Sequence, residues 1–190
     1  MKYFKKLVGE KCYLSPINLE DAPQYSEWLS NIDIGLSLEI FHTQLSVRKE
    51  EQILQNMIDR NEYIFAIVDL TTNTLIGNCG LHNVHHINGL AEFGIFLGNE
   101  EYRGKGYAKE ATNLILDFGF NILNLHAIHL RVYEFNKRAH KLYESVGFKK
   151  TGLFRQAKAI GKKRYDVLIM DILADEYQGV YVRDKIDTMT

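Results

Sequence analysis

Apolar residues along this chain follow two spacings, one typical of β-strands and one typical of helices. Short runs rich in β-branched and aromatic residues predict strands over residues 11–14, 63–68, 74–81, 90–97 and 126–133, from 148 onward, and over 165–173. Apolar residues at helical spacing predict helices that begin near Asn18 and over residues 46–59, 105–123 and 137–146. Residues 31–45 show only weak periodicity, and we expect a mobile or substrate-facing loop there.

The order of these predicted elements, β-α-α-β-β-β-α-β-α-β-β, indicates the fold class. Helices interleave with strands only in the second half, which excludes a regular doubly wound fold and predicts an α+β sheet with helices on both faces. With 190 residues, two prolines and no linker-like composition, the chain fits one domain over residues 1–177 better than two small domains. The polar residues 178–190 predict a C-terminal tail that frays.

Charge and composition narrow the range of partners. The formal net charge is -1, so no global basic field would attract nucleic acid or an anionic membrane, and we expect neither partner. The first residues lack the apolar segment of a signal peptide, and no apolar run approaches the roughly 20 residues that span a bilayer. Cys12 and Cys79 have no CxxC spacing, which favours reduced thiols in a cytoplasmic protein.

A turn with two glycines, RGKGYA at residues 103–108, lies between a predicted strand and a predicted helix. Glycines at such a junction let the backbone turn tightly and direct N–H groups outward, and the helix N-terminus adds partial positive charge. The turn can therefore hold a diphosphate without a metal, with Arg103 and Lys105 adding charge. A plain helix start is the alternative. A dinucleotide-binding turn is disfavoured because the third glycine of Gly-x-Gly-x-x-Gly is missing.

Two motifs resemble those of a known enzyme family. Arg103-x-x-Gly106-x-Ala108 is similar to the Gln/Arg-x-x-Gly-x-Gly/Ala acyl-CoA signature of the GNAT superfamily of N-acetyltransferases, and residues 136–148 (NKRAHKLYESVGF) resemble its second signature. The similarity extends from about residue 75 to residue 172. Residues 91–97 and 117–125 are most similar to the branch that holds ribosomal-protein N-terminal acetyltransferases and spermidine acetyltransferases.

The resemblance implies a GNAT-like mixed, mostly antiparallel sheet with a splayed cofactor cleft. In the family the strand over residues 90–97 carries a bulge and splays from the strand after it, which makes room for acetyl-CoA. A primary amine then attacks the thioester directly, and relatives are often dimers, so we expect a homodimer. The resemblance implies that the cofactor is bound by Ile95, Phe96, Leu97, Arg103, Gly104, Lys105, Gly106, Tyr107, Ala108, Asn136, Arg138 and Ala139.

The resemblance also assigns the proton transfers. Tyr143 would donate a proton to the leaving sulfur of CoA, whereas without the resemblance it reads as an aromatic residue that packs beside its neighbours. Glu92 is the candidate general base, acting through water; a surface carboxylate or a binding site for a substrate cation are open alternatives. Asn136 would bind the cofactor arm, cap its helix or do both, and Arg138 is either a phosphate contact or a solvated helix charge.

The identity of the amine stays open between a protein N-terminus, a polyamine and a small amino compound. Residues 31–41 contain only two acids, which disfavours an allosteric polyamine site there. His82, His85 and His86 cluster near a hairpin tip without regular ligand spacing, so we expect a polar loop and no metal. The alternative function is a CoA-binding sensor or scaffold that has lost turnover.

Overall fold

An eight-stranded sheet organises the protein. The computed structural model describes residues 2–38, 40, 42–179, 181, 182 and 188. The strands are β1 (Leu7–Val8), β2 (Cys12–Pro16), β3 (Tyr63–Asp69), β4 (Leu75–His85), β5 (Leu90–Leu97), β6 (Ala127–Tyr133), β7 (Lys149–Ile160) and β8 (Lys163–Leu173). They lie in the order β1-β2-β3-β4-β5-β6-β8-β7, and only β5 and β6 are parallel. The expected mostly antiparallel α+β sheet is confirmed.

Helices pack on both faces of this sheet. Those in the described part of the chain are α1 (Ala22–Ser30), α2 (Ile32–Leu38), α3 (Val47–Asp59), α4 (Tyr107–Asn121) and α5 (Lys137–Ser145). The helices predicted over residues 46–59, 105–123 and 137–146 are confirmed, although α4 is shorter at both ends than expected. None of the described helices is long and apolar enough to cross a bilayer.

Residues 32–38 form a helix, so the prediction of a loop across residues 31–45 is wrong for this part. The Asn31 side chain accepts a hydrogen bond from the Asp33 N–H at 2.9 Å, which satisfies one of the free amides at the start of α2. Ile34 and Gly35 are buried. The helix is set by this local cap and by contact with α1 rather than by periodicity, which is why its short mixed sequence carries no recognisable signal.

Alternate residues of the central strands serve two apolar layers. In β3, Phe65 and Ile67 pack with Leu114 of α4 on one face of the sheet. On the other face, Ala66 and Val68 pack with Leu54 of α3 and with residues of α1. This alternation is what a sheet buried on both faces requires. The two layers fix the relative positions of α1, α4 and the strands that carry the site.

The two central strands separate halfway along their length. β5 pairs with β6 only over Leu90–Glu92, opposite Ala127–His129. Beyond this point β5 continues beside β4, and β6 continues beside β8. The predicted splayed cleft is therefore confirmed. The register irregularity, however, lies in β4 between His82 and His85, not in β5 as the resemblance implied, because two residues of β4 stand opposite one of β5.

Part of the predicted C-terminal tail contacts the core. Val182 is buried, and its N–H donates a hydrogen bond to the fully buried Asp117 carboxylate of α4. Tyr181 packs against the same apolar layer as α4. Just before it, the Tyr177 hydroxyl donates to the Asn113 carbonyl at 2.7 Å. Residues 181–182 are thus packed on the domain, contrary to the expected fraying, because Tyr181 joins the apolar layer and Asp117 of α4 accepts from the Val182 N–H.

Candidate active site

The point where β5 and β6 separate is filled by aromatic side chains. Phe93, the first residue of β5 beyond the paired segment, contacts the ring of Tyr143 edge-on at 6.2 Å between ring centres. Phe148 packs on both rings, at 6.1 Å from Phe93 and 5.8 Å from Tyr143. α5 carries Tyr143 into this position, and burial raises the pKa of Tyr143 to about 12. The side chain therefore stays protonated at neutral pH, as a proton donor must.

Glu92 forms an ion pair at the mouth of the cleft. Its carboxylate accepts from Arg131 Nε at 2.8 Å and from the Asn83 amide at 3.3 Å. Burial raises the pKa of Glu92, but the hydrogen bond and charge of Arg131, together with Asn83, outweigh that effect and hold the pKa below its usual value. Glu92 is therefore ionised at neutral pH, which suits attraction of a cation better than strong general-base action.

A cleft of about 510 Å³ opens beside this ion pair. Its walls come from β4, β5, β6 and the turn before β3, so acidic, amide and imidazole groups face one space. The lining residues are Glu62, His82, Asn83, Glu92, Phe93, Gly94 and Arg131. Two carboxylates line this space: Glu92 is paired with Arg131, and Glu62 lies 3.9 Å from the largely exposed Arg60. The Glu62–Arg60 pair is weak because it is long and exposed, so the Glu62 carboxylate can still attract a positively charged guest.

Of the three clustered histidines, His86 lies in the exposed hairpin turn, as expected, but the other two do not. His82 and His85 lie within β4, where His82 stands opposite Glu92. The imidazole of His85 accepts from the Asn88 N–H at 3.1 Å and so stabilises the hairpin turn. Among the described residues, no three histidine, cysteine or acidic side chains come together to hold a metal ion.

The glycine turn enters α4 with two left-handed backbone positions. Gly104 has φ 75° and Gly106, which caps the helix N-terminus, has φ 92°. Side chains are strained at such angles, which explains both glycines. A Cβ atom on Gly104 would meet no atom within 4 Å, so the turn borders open space. Free helix amides facing open space are what a diphosphate needs, and the site fits the diphosphate of acetyl-CoA.

Two side chains of the turn point away from this space. The Arg103 guanidinium donates to the Leu97 carbonyl from Nε at 3.2 Å and pairs with Glu100 at 2.7 Å, so it ties the turn to the end of β5. Tyr107 donates its hydroxyl to Asp69 at 2.6 Å, and this bond raises the pKa of Tyr107 to about 12. Both residues position the turn, and the expectation that the Arg103 side chain adds free charge for the cofactor does not fit its contacts.

The remaining predicted cofactor residues lie on β5, in the glycine turn and at the start of α5. The Asn136 side chain accepts from the Ala139 N–H at 3.1 Å and so caps α5, as one of its two expected roles requires. Arg138 is exposed at the start of that helix. On β5, Ile95 and Leu97 pack toward the α4 layer, whereas Phe96 points to the opposite face. Lys105 and Ala108 lie in the glycine turn and the first turn of α4.

A buried carboxylate that the sequence analysis missed anchors the start of α4. Glu110 accepts three backbone hydrogen bonds, from the N–H groups of Glu10, Lys11 and Cys12, at 2.7, 2.9 and 2.8 Å. A Cβ atom on Gly9 would lie 2.5 Å from its carboxyl carbon, so a larger residue there would push the carboxylate away from its three donors. In the sequence, an acid in the first turn of a helix is explained by its favourable interaction with the helix dipole. Only the fold shows that this carboxylate accepts hydrogen bonds from residues about 100 positions away.

Comparison with known proteins identifies the architecture. The sequence model of the acetyltransferase (GNAT) domain matches residues 11–149. The chain belongs to the GNAT family of acetyltransferases. It is 31% identical to an uncharacterised N-acetyltransferase, p20, of Bacillus licheniformis over 91% of this chain and 98% of that protein. It is also 38% identical to a spermidine N(1)-acetyltransferase of Vibrio cholerae over 67% of this chain and 73% of the relative.

The fold of this GNAT protein also matches solved structures. The crystal structure of spermidine N-acetyltransferase from Vibrio cholerae, in complex with CoA and spermine, superimposes with a TM-score of 0.80. The two sequences are 30% identical, and the match covers 89% of this chain and 99% of the other. The protein is therefore an acetyl-CoA-dependent N-acetyltransferase, which transfers an acetyl group to an amine.

Proposed function

We propose that this GNAT protein acetylates a small polyamine-like primary amine that binds in the cleft beside Glu92. The observation that carries the proposal is the pair of carboxylates, Glu62 and Glu92, that line this cleft next to the point where β5 and β6 separate. An amine substrate with a second ammonium gains from such carboxylates, whereas a neutral amino compound does not. Relatives that act on spermidine support the same class of substrate.

We propose that the cofactor binds along the cleft from the glycine turn to Tyr143. The amides of residues 104–108 would hold the diphosphate, and the β5 backbone over residues 95–97 would align the pantetheine arm. Asn136, Arg138 and Ala139 would contact the cofactor from the start of α5. Bound acetyl-CoA supplies the activated acetyl group as a thioester.

Tyr143 is the proposed general acid. Its hydroxyl keeps its proton because burial raises the pKa to about 12. A thiolate leaving group has an ordinary pKa near 8.5, so the proton transfer from Tyr143 helps by a moderate factor, of order 10² to 10⁴. The contacts of the Tyr143 ring with Phe93 and Phe148 fix its direction where the two strands part.

Glu92 is the proposed catalytic carboxylate on the amine side. Its low pKa makes it a poor base toward a free ammonium, but a good electrostatic partner for one. The bound ammonium first loses one proton to water, which gives the neutral amine that attacks the thioester. After the attack the substrate nitrogen is far more acidic than an ammonium, and Glu92 accepts its second proton directly or through water. Arg131 positions the carboxylate for this task through its 2.8 Å hydrogen bond.

We further propose that residues 1–177 form one transferase domain, followed by a tail, and that the protein works in the cytoplasm as a homodimer. Two buried free thiols, Cys12 and Cys79, suit a reducing compartment. Light scattering at several protein concentrations tests the assembly, and a mass equal to one chain of 22.0 kDa at all concentrations would exclude the dimer.

The substrate proposal is tested with matched amines. Thiol release from acetyl-CoA is measured with putrescine, butylamine, an amino sugar and a short peptide, with a control lacking amine. We expect putrescine to exceed butylamine in kcat/KM by about tenfold, because its second ammonium meets the carboxylates. Glu62→Gln and Glu92→Gln should reduce this preference, while Glu101→Gln, on the exposed surface, serves as the control.

Three outcomes contradict the proposal in different ways. Equal rates with putrescine and butylamine would exclude recognition of a second charge. A preference for the peptide or the amino sugar would replace the substrate class. Tight binding of CoA with no release for any amine would favour the sensor or scaffold that the sequence left as the alternative.

A further inference from the structure

Lys11, in the turn between β1 and β2, extends its side chain across the glycine turn. Its Cε and Cδ atoms lie 3.5 and 3.9 Å from the position of a Cβ atom on Gly106. The ammonium is one bond beyond Cε, so it lies beside the N-terminus of α4. Lys11 is exposed, and among the described residues its ammonium forms no ion pair within 4.0 Å.

The backbone of Lys11 is held in place from the helix itself. Glu110, in the first turn of α4, accepts hydrogen bonds from the N–H groups of residues 10, 11 and 12. The Lys11 carbonyl accepts from the Leu70 N–H at 2.9 Å, which attaches the same residue to the end of β3. Lys11 is thus fixed relative to the glycine turn by both of its backbone polar groups.

We propose that Lys11 is a binding residue for the diphosphate of the cofactor, contributed by the first strands rather than by either family motif. The inference rests on the proposed cofactor position in the glycine turn. It assigns the direct positive charge that the motif arginine does not offer there, since Arg103 is bound to the Leu97 carbonyl and to Glu100. An ammonium beside helix amides strengthens binding of a diphosphate by adding full charge to partial charges.

The test measures binding by calorimetry as well as turnover. Lys11→Met should weaken binding of CoA about tenfold, as expected for one lost charged hydrogen bond. Dephospho-CoA keeps the diphosphate and lacks only the ribose phosphate, so Lys11→Met should weaken its binding by the same factor. Lys11→Arg should restore most of the affinity, and Lys6→Met, an exposed lysine of the same strand region, should match the wild type. Added salt should reduce the difference in CoA affinity between the wild type and Lys11→Met, because it screens the charge of the lysine.

Turnover of acetyl-pantetheine, which has no phosphate, separates binding from structure. We expect kcat/KM for this donor to be equal in wild type and Lys11→Met, while kcat/KM for acetyl-CoA falls about tenfold. Unchanged CoA affinity in Lys11→Met would overturn the proposal, and so would an equal loss with acetyl-pantetheine or a loss with CoA but not dephospho-CoA. Failure of the wild type to bind CoA would instead contradict the cofactor site as a whole.

Discussion

At the scale of single residues, burial and pairing push the two proposed catalytic side chains toward opposite protonation states. Tyr143 is buried among aromatic rings, and its pKa is raised to about 12, so it retains its proton. Glu92 lies in an ion pair with Arg131, and its pKa is lowered, so it is ionised. One group can therefore donate a proton and the other can accept one in the same reaction, as acid–base catalysis requires.

Tyr143→Phe tests the proton donor. We expect kcat to fall by about 10² to 10⁴ while KM for acetyl-CoA changes little, because the hydroxyl acts only on the leaving sulfur. The phenyl ring keeps the contacts with Phe93 and Phe148, so the free energy of unfolding should change by less than about 1 kcal/mol. Steady-state kinetics and urea unfolding measure both. A kcat close to that of the wild type would remove Tyr143 from the reaction.

The rate profile with pH follows from the pKa of the same tyrosine. Because its pKa is near 12, Tyr143 remains a proton donor throughout the alkaline range, and deprotonation of this residue should cause no loss of kcat up to about pH 10. The hydrogen bond and charge of Arg131 hold the pKa of Glu92 below that of an ordinary glutamate, so activity should fall only at pH values more acidic than an ordinary glutamate requires, and Glu92→Gln should remove that acid limb. An alkaline limb near pH 9 that disappears in Tyr143→Phe would contradict the assignment.

At the scale of elements, the glycine turn and the first turn of α4 act as one unit. Gly104 and Gly106 supply the left-handed angles, Arg103 ties the turn to β5, and Tyr107 ties the helix to the end of β3. The direction of the helix N-terminus is therefore set by contacts on both sides of the turn. The consequence for function is a preorganised diphosphate site.

Gly104→Ala separates backbone strain from loss of ligand space. Gly161, in the turn between β7 and β8, is a matched control because it also has a positive φ, 59°, and no atom within 4 Å of its Cβ position. Both alanine variants should lose about 1 kcal/mol of stability from strain. Only Gly104→Ala should also weaken CoA binding, measured by calorimetry, since its methyl group enters the cofactor space. Equal CoA affinities in Gly104→Ala and Gly161→Ala would show that the diphosphate does not bind at the glycine turn.

Glu110→Ala tests the connection between α4 and the first strands. The substitution leaves three amides of residues 10–12 without their acceptor, one of them buried at Cys12, and we expect a loss of about 3 kcal/mol in the free energy of unfolding. Displacement of Lys11 should also raise KM for acetyl-CoA. Glu101→Ala, an exposed acid close in sequence, is the control. Urea unfolding that gives the same midpoint for both variants would show that the amides find other partners.

At the scale of the whole molecule, the C-terminal segment completes the surface of α4. Asp117 is fully buried and accepts from Asn121 and from the Val182 N–H. A chain that ends at Tyr177 leaves part of this carboxylate without a donor, and we expect a loss of about 2 kcal/mol in unfolding free energy. A chain that ends at Val182 is the control and should keep the full stability. Equal stabilities for both truncations would restore the interpretation of a fraying tail.

The sequence alone determined most of the strands, the helices α3, α4 and α5, and the glycine turn. These features depend on nearest-neighbour effects, namely apolar periodicity, caps such as Ser46, and the left-handed angles that glycine adopts without strain at positions 104 and 106. The GNAT motifs lie within such segments. The fold class was therefore predictable from short stretches of chain, whereas acetyl transfer was predicted from the resemblance of two of these stretches to GNAT motifs.

The tertiary structure alone decided which way the side chains around the site point. Nothing in the motif shows that Arg103 turns to β5, because its acceptor is a backbone carbonyl that sequence does not distinguish from others. The register irregularity of β4 likewise depends on pairing with β5. Glu110 meets Lys11 across 99 positions of sequence, so the placement of that lysine beside the turn exists only when the sheet and α4 have packed. Long-range contacts of this kind leave no local pattern in the sequence.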